Sequence, residues 1–186
     1  MTDVRRLVRP ELVADSAARL GIEPDLPALG VTYLAPVDAM ATGLPSNSFD
    51  LVTSTDTLEH VPHRQLVPLL SECRRLLRPG GVLTARIDYR DHYAYGDPSI
   101  APFHFLRYSE RSWRRWNPPS HFQSRLRHVD HVRAIESAGL EIVAVEHPAP
   151  LTDALDLIHR DFDRYHRTEL AVPEAWIVAR TPPRVV

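Results

Sequence analysis

The chain has 186 residues, of which 44% are hydrophobic and 25% charged, and its formal net charge is -2. At roughly 100–200 residues per domain this predicts a single domain (1–186) with a real core, and near-neutral charge supplies no field for nucleic acid. All 22 basic residues are Arg, which excludes a P-loop lysine and Schiff-base chemistry, and the single cysteine, Cys73, excludes an internal disulfide or multi-cysteine metal centre. No two of the seven glycines have a single residue between them, so a G-x-G phosphate loop is absent. The first residues open into no apolar signal segment, and no stretch approaches the roughly 18 apolar residues of a membrane span. The expectation is a cytoplasmic protein with neither membrane nor nucleic-acid partner.

In chain order, residues 10–20 predict a short helix, with Pro10 in its first turn and Gly21 at its end. Val31 to Ala35 predicts a strand. A second strand, 49–53, follows the Pro45-Ser46-Asn47-Ser48 turn. Leu66, Leu69, Leu70, Cys73, Leu76 and Leu77 repeat at three and four residues and define one helical face, which Pro79-Gly80-Gly81 ends. Val82 to Ile87 is a third strand, so 49–87 reads as a βαβ unit with parallel strands. Residues 88–128 are irregular and rich in aromatics, Arg and His. A helix over 129–138 capped by Gly139, strands at 140–145 and 175–179, and a helical insertion at 151–165 complete an α/β order.

Ligands of open α/β sheets bind outside the carboxyl ends of the strands. Three apolar runs here end in polar residues: Asp38-Ala39-Met40, Ser54-Thr55-Asp56, and Asp88 to His92, with Glu59-His60 close behind the second. Such ends meet turns, which are polar in any case, but the coincidence of three favours a site. Asp88, Asp91 and His92 have two readings: they orient or deprotonate a ligand, or they form ion pairs with Arg86, Arg90 or Arg107. His60-x2-His63 and His128-x2-His131 have a helical metal spacing, but ten histidines produce such pairs by chance and no metal site is expected. Trp113-Arg114-Arg115-Trp116 is expected to belong to a lid rather than to a nucleic-acid surface, and Cys73 to be buried and inert.

Asp38-Ala39-x4-Leu44-Pro45-x3-Phe49-Asp50-Leu51-Val52, then Leu58-Glu59-His60-Val61, then Arg74 to Gly81, resembles the class I S-adenosylmethionine-dependent methyltransferases in order and spacing. The likeness covers about residues 31–147 and runs more loosely to 180. It implies a partial Rossmann-like sheet, mostly parallel with an antiparallel last strand, with helices on both faces. It also implies that 88–128 is a lid or acceptor region. By resemblance, Asp38 accepts a hydrogen bond from the adenine amino group of S-adenosylmethionine, Ala39 and Met40 lie beside the ring, and Ser54 and Thr55 flank the methionine part. His60, in the Leu-Glu-His segment, either faces the cofactor or acceptor or is a packing histidine that caps the next helix, and Asp88, Asp91 and His92 fall on the acceptor side. The implied reaction is methyl transfer to oxygen or nitrogen of a small-molecule acceptor.

The sequence departs from that family at its start. Residues 1–30 are too short for two strands and a helix and hold no Gly-rich loop, so the chain reads as lacking the N-terminal portion, whether truncated, misassigned at its start or degenerate. The expected cost is weakened cofactor binding and an unpaired edge on the strand at 49–53, with 31–35 either detached or paired directly with it. The alternative to an impaired enzyme is a catalytically inactive remnant that binds or assembles through that edge, by self-association or with a partner chain.

Overall fold

A computed structural model describes residues 30–183 of the chain. The helix expected at 10–20 lies outside the described residues. Among them, four strands form one sheet: β1 (Phe49–Thr55), β2 (Leu77–Asp88), β3 (Glu141–Glu146) and β4 (Glu174–Arg180), in the spatial order β1-β2-β4-β3. β1 and β2 are parallel, whereas β4 runs antiparallel to both of its neighbours. β1, β2 and β3 therefore share a direction and the last strand opposes them. This is the mostly parallel sheet with an antiparallel final strand that the sequence led us to expect.

Two helices of useful length pack on this sheet, α1 (His63–Leu76) and α3 (His128–Ser137); a single short turn, α2 (Glu110–Trp113), lies between them in sequence and α4 (Arg167–Leu170) precedes β4. The leucine stripe of α1 forms because residues three and four apart share a face. Leu66, Leu70 and Leu76 are buried there, and they meet Leu83, Ala85 and Ile87 of β2, Ala175, Ile177 and Ala179 of β4, and Ile135 of α3 in one core. Alternate residues of β2 and β4 point away from α1 and α3, and on that side Trp176 is exposed. Among the described residues both long helices thus lie on one face.

A second core sits beyond the carboxyl end of β2, where Phe103, Phe105, Leu106 and Trp113 pack with Leu155, Phe162, Tyr165 and Leu170. The helix expected at 151–165 is replaced by two 3-10 turns, Thr152–Ala154 and Arg160–Phe162. The His159 side chain caps the second turn by accepting from Asp161 N–H at 3.2 Å, and tertiary bonds such as His159 N–H to Leu106 O at 2.9 Å take backbone groups a helix would have used. The strand expected at 31–35 is also absent. Tyr33 and Leu34 are exposed, and among the described residues no strand lies alongside to complete a ladder, so of the two outcomes foreseen this segment is the detached one.

Residues 42–48 are nevertheless pinned to α1. Glu72 accepts from Thr42 N–H at 3.0 Å and from the Thr42 hydroxyl at 2.6 Å, and Arg75 holds Glu72 and Leu44 O together. The bonds from Arg75 and Thr42 hold the Glu72 carboxyl down at about 2. Where α1 passes into β2, a side chain at Gly81 would meet Arg78 O at 2.8 Å, so only glycine allows this tight reversal.

The two cores are joined by Arg127, which is fully buried. Its Nη1 donates to Tyr89 O at 2.9 Å and its Nη2 to Val172 O at 3.0 Å, and the guanidinium lies over the rings of Tyr89 and Phe103. Replacing Arg127 by Met keeps the volume but leaves both carbonyls unbonded, each at a cost of roughly 1–3 kcal/mol. Arg127→Met is therefore expected to lower unfolding free energy by about 3 kcal/mol in urea denaturation at neutral pH. A loss within experimental error would show that water replaces both bonds.

Candidate functional site

The carboxyl ends of β1 and β2 and the start of β4 are clamped by one side chain. Arg86 of β2 donates through Nη1 to Asp56 at 2.6 Å and through Nη2 to Glu174 at 2.6 Å. Asp56 takes the left-handed conformation, with φ +48°, and turns the chain out of β1 into the 3-10 turn Leu58–His60. That turn presents alternate fates in adjacent residues. Leu58 and Glu59 are buried and His60 is exposed.

Three segments meet here: 58–60 after β1, 90–95 after β2, and 117–124 from the long insertion. Gln123 is the joint. Its amide donates to Arg90 O at 2.6 Å and its carbonyl accepts from His92 N–H at 3.1 Å, while Asn117 brackets Gln123 through both its backbone groups. Ser124 N–H donates to Glu59 O at 2.7 Å, and His60 Nδ1 lies 2.7 Å from Phe122 O, with which it pairs as a donor. The rings of His60 and His92 stand 5.0 Å apart, and His121 is 6.4 Å from His92. Burial, reinforced by His60 and His121, outweighs nearby Asp88 and depresses the His92 pKa, which leaves that imidazole neutral at physiological pH.

Of the candidate site residues, the structure brings His60 and His92 together. Asp88 stands beside them with its carboxylate occupied: Arg90 grips it through Nε at 3.0 Å and Nη2 at 2.9 Å, and the Tyr95 hydroxyl donates to it. Burial pushes the Asp88 pKa up, but these bonds outweigh it and the net shift is down, so a carboxylate held in this way is a poor base. Asp91 is buried and caps the 92–95 turn by accepting from Tyr93 N–H at 3.0 Å. The ion-pair reading thus describes Asp88, with Arg90 as its partner, and Asp91 supports the loop that carries His92. Ser54 and Thr55 occupy the tip of β1, the first half-buried and the second exposed. Asp38, Ala39 and Met40 form a turn, exposed at Asp38 and Ala39 and half-buried at Met40, in which Asp38 Oδ1 accepts from Met40 N–H at 2.8 Å, and among the described residues no hydrogen bond joins that turn to Ser54 or Thr55.

Sequence reasoning placed Glu59 near the site but gave it no role, and it passed over Gln123 and Asn117. Glu59 is 1% exposed, it has no ion pair, and neither carboxylate oxygen has a hydrogen-bond partner of ordinary geometry. Burial, with Asp56 and Asp88 adding to it against two backbone amides, pushes its carboxyl up to about 7.

Beside His60 opens a cleft of about 1150 Å³ lined by Trp113, Phe162, Arg64, Arg125 and Arg164, among others. Its floor is ordered by Arg125, whose side chain is 3% exposed and donates to Phe105 O at 2.9 Å, Tyr108 O at 2.6 Å and Glu110 at 2.7 Å. No helix among the described residues is long and apolar enough to cross a membrane.

A strand-edge site at the carboxyl ends of parallel strands, with a cleft roofed by an insertion, defines an α/β protein of Rossmann-like architecture. Residues 9–85 match the family described as a methyltransferase domain. No curated protein matches the chain in sequence. Among solved structures, the [4+2]-cyclase SpnF is 20% identical with a TM-score of 0.53, covering 94% of this chain and 62% of that one. An S-adenosylmethionine-dependent methyltransferase from Mesorhizobium loti is 21% identical, TM-score 0.52, covering 94% and 77%. A geranyl diphosphate methyltransferase in complex with S-adenosylmethionine is 14% identical, TM-score 0.51, covering 91% and 63%. The chain thus spans 62% and 63% of the length of the first and last of these. At such identities the likeness shows a shared fold. The family match over residues 9–85 and the shared fold are what this chain has in common with methyltransferases.

Glu59 provides a test of the site's electrostatics. Its folded pKa of about 7 lies above the ordinary 4.5, so the folded chain binds that proton more tightly than the unfolded one. This contribution to stability is complete below pH 4.5 and is lost as pH rises through 7. Glu59→Gln, neutral throughout, should therefore gain on the native chain by roughly 3 kcal/mol between pH 4.5 and pH 8, measured in chelator by denaturant unfolding. A constant difference across that range would mean that Glu59 ionises normally.

Proposed function

We propose that the chain is an S-adenosylmethionine-dependent methyltransferase acting on oxygen or nitrogen of a small molecule held in the cleft beside His60. The observation that carries this reading is that His60 belongs at once to that cleft and to the cluster behind the tip of β1. A cofactor laid across the strand ends would then point its methyl group toward the cleft. In this reading Asp38 receives the adenine amino group on the carboxylate oxygen that Met40 leaves unbonded, Ala39 and Met40 lie against the ring, and Ser54 and Thr55 flank the methionine part. The insertion 88–128 is the acceptor region, with Trp113 and Phe122 forming apolar walls and Arg64 and Arg164 on its rim to favour an acceptor with an anionic group.

Methyl transfer is an in-line displacement: the acceptor atom bonds the methyl carbon as the carbon–sulfur bond breaks, the electron pair returns to sulfur, and the acceptor loses a proton. Alignment supplies much of such a rate, and a base helps when the acceptor is a hydroxyl. His60 and His92 are the proton acceptors in this scheme. Asp88 and Asp91 position the loop that carries His92.

A second reading, a binding module, is favoured by β1, which forms one edge of the sheet among the described residues, next to a face on which Leu51 and Trp176 are exposed. Calorimetric titration with S-adenosylmethionine and S-adenosylhomocysteine separates the two. Micromolar affinity, weakened about tenfold or more by Asp38→Ala through loss of a charge-assisted hydrogen bond, is the expected result. No heat at millimolar cofactor would overturn the enzyme reading, and a dimer seen by sedimentation would then favour the module.

A further inference from the structure

The pairs of histidines spaced for a helix are not the metal-ligating set that the fold assembles. His131 of one pair is fully buried in the core, where its Nδ1 pairs with Arg127 O at 3.2 Å. The set that the fold does assemble joins neighbours in space. Glu59, His60 and His92 each offer a ligand atom, and these atoms all lie within 4.8 Å of one another. We infer that Glu59, His60 and His92 form a binding site for a divalent transition-metal ion of the zinc type, with one coordination position open to the cleft.

Four observations support this. First, Glu59 is 1% exposed, yet it has no ion pair and neither of its oxygens has a hydrogen-bond partner of ordinary geometry. A buried carboxylate in that condition is rare, because folded chains pair their buried charges or bind metal with them. The neighbouring carboxylates are not in this state. Asp88 is matched by Arg90, and Arg86 is matched to Asp56 and Glu174.

Second, His92 Nε2 is buried and also has no partner. Its backbone is fixed by Gln123, so the ring does not owe its position to any bond made by that nitrogen. Third, His60 is set up as a ligand. Its Nδ1 pairs with a backbone carbonyl, Phe122 O at 2.7 Å, which fixes the tautomer with Nε2 unprotonated. A carbonyl on the far ring nitrogen is the usual outer-shell partner of a metal-binding histidine.

Fourth, the geometry is within reach. Ligand atoms at roughly 2.0–2.2 Å from a tetrahedral ion stand about 3.4 Å apart. Closing the observed set to that spacing needs only small rotations, and His60, being exposed, is free to make them. The donor types decide the ion: two imidazoles and one carboxylate suit zinc and its first-row neighbours, whereas magnesium and calcium take oxygen ligands. Three protein ligands leave a fourth position for an exogenous donor, as in catalytic zinc sites. Because His60 lines the cleft, that position faces whatever small molecule the cleft holds, and an oxygen of the acceptor would complete the shell.

The inference does not depend on methyl transfer, since the ion would bind whether or not the chain takes up S-adenosylmethionine; with the ion bound, His60 and His92 serve as its ligands and no longer as the proton acceptors of that scheme. The test uses the whole chain stripped with chelator, then titrated with ZnCl2 against a chromophoric competitor and with CoCl2 by visible absorption. The expected result is one equivalent bound at micromolar affinity or tighter, visible d–d bands for cobalt, and a rise in Tm on adding zinc. His60→Ala, His92→Ala and Glu59→Gln should each weaken zinc binding by more than the roughly 10–100-fold that loss of an outer partner costs. His147→Ala, at an exposed histidine outside the set, should leave it unchanged. Should either interior variant fail to fold, His60→Ala at the surface carries the test alone. Zinc affinity unaltered by His60→Ala, or no zinc bound at millimolar concentration, overturns the site. Binding of S-adenosylhomocysteine to the metal-free chain, measured in parallel, shows separately whether the methyltransferase reading holds.

Discussion

The position of the groups that follow β2 depends on the buried guanidinium of Arg127. It bonds the carbonyl of Tyr89, the first residue past β2, and the carbonyl of Val172, which leads into β4. Two chain segments that leave and enter the sheet at the same edge are thereby held at a fixed separation. Burial lowers the Arg127 pKa to about 10, which still leaves it charged at neutral pH. A charged donor binds carbonyls more strongly than a neutral one, and here two aromatic faces replace part of the lost water. The constraint reaches further through Asp130, whose carboxylate accepts from both Arg127 N–H and the Tyr165 hydroxyl, and so ties the start of α3 to the second core.

With that edge fixed, the site is assembled from loops that are each anchored separately. Arg86 sets the height of the β1 tip against β2 and β4, Gln123 ties the loop after β2 to the insertion, and Ser124 ties the insertion to the turn after β1. The result is a triangle of short, bonded connections around His60 and His92. Such rigidity is what alignment-driven chemistry requires, since small misplacements of reacting atoms cost large factors in rate. The same architecture carries a [4+2]-cyclase as well as methyltransferases, so the fold alone does not select the reaction and the groups at the strand ends must do so.

The parts legible in the sequence were those in which one local pattern determines one structure. The leucine stripe of α1, the polar strand ends, the parallel pair around α1 and the capped helix before β3 all follow from periodicity and turn chemistry. The segment 31–35 failed because β-propensity describes residues that suit a strand, whereas a strand exists only beside a partner. At 151–165 a helix was expected, and although Leu155, Phe162 and Tyr165 are interior, the backbone between them is turns, since the His159 side chain takes the Asp161 amide and tertiary bonds such as His159 N–H to Leu106 O take others. Glu59 was invisible for a different reason. In a three-residue 3-10 turn nothing in the order Leu58-Glu59-His60 tells which side chain faces inward, and tertiary contact alone sends the acid in and the histidine out.

The absence of lysine acquires a structural meaning at this point. Four of the buried and half-buried cations, Arg75, Arg86, Arg125 and Arg127, each bond two or more acceptors that lie on different segments. A planar guanidinium can do this because its donors diverge in fixed directions, whereas an ammonium on a flexible stem acts as a point charge. In a protein whose site is made of irregular loops rather than of regular ladders, orphan carbonyls are numerous, and each must find a donor or remain unsatisfied in the interior. Arginine supplies several donors per side chain and so orders the second core, where few backbone ladders are available. The buried carboxylate of Glu59 is the exception to this pattern: no arginine is directed at it, and that makes it the place where a ligand from outside the chain has most to offer.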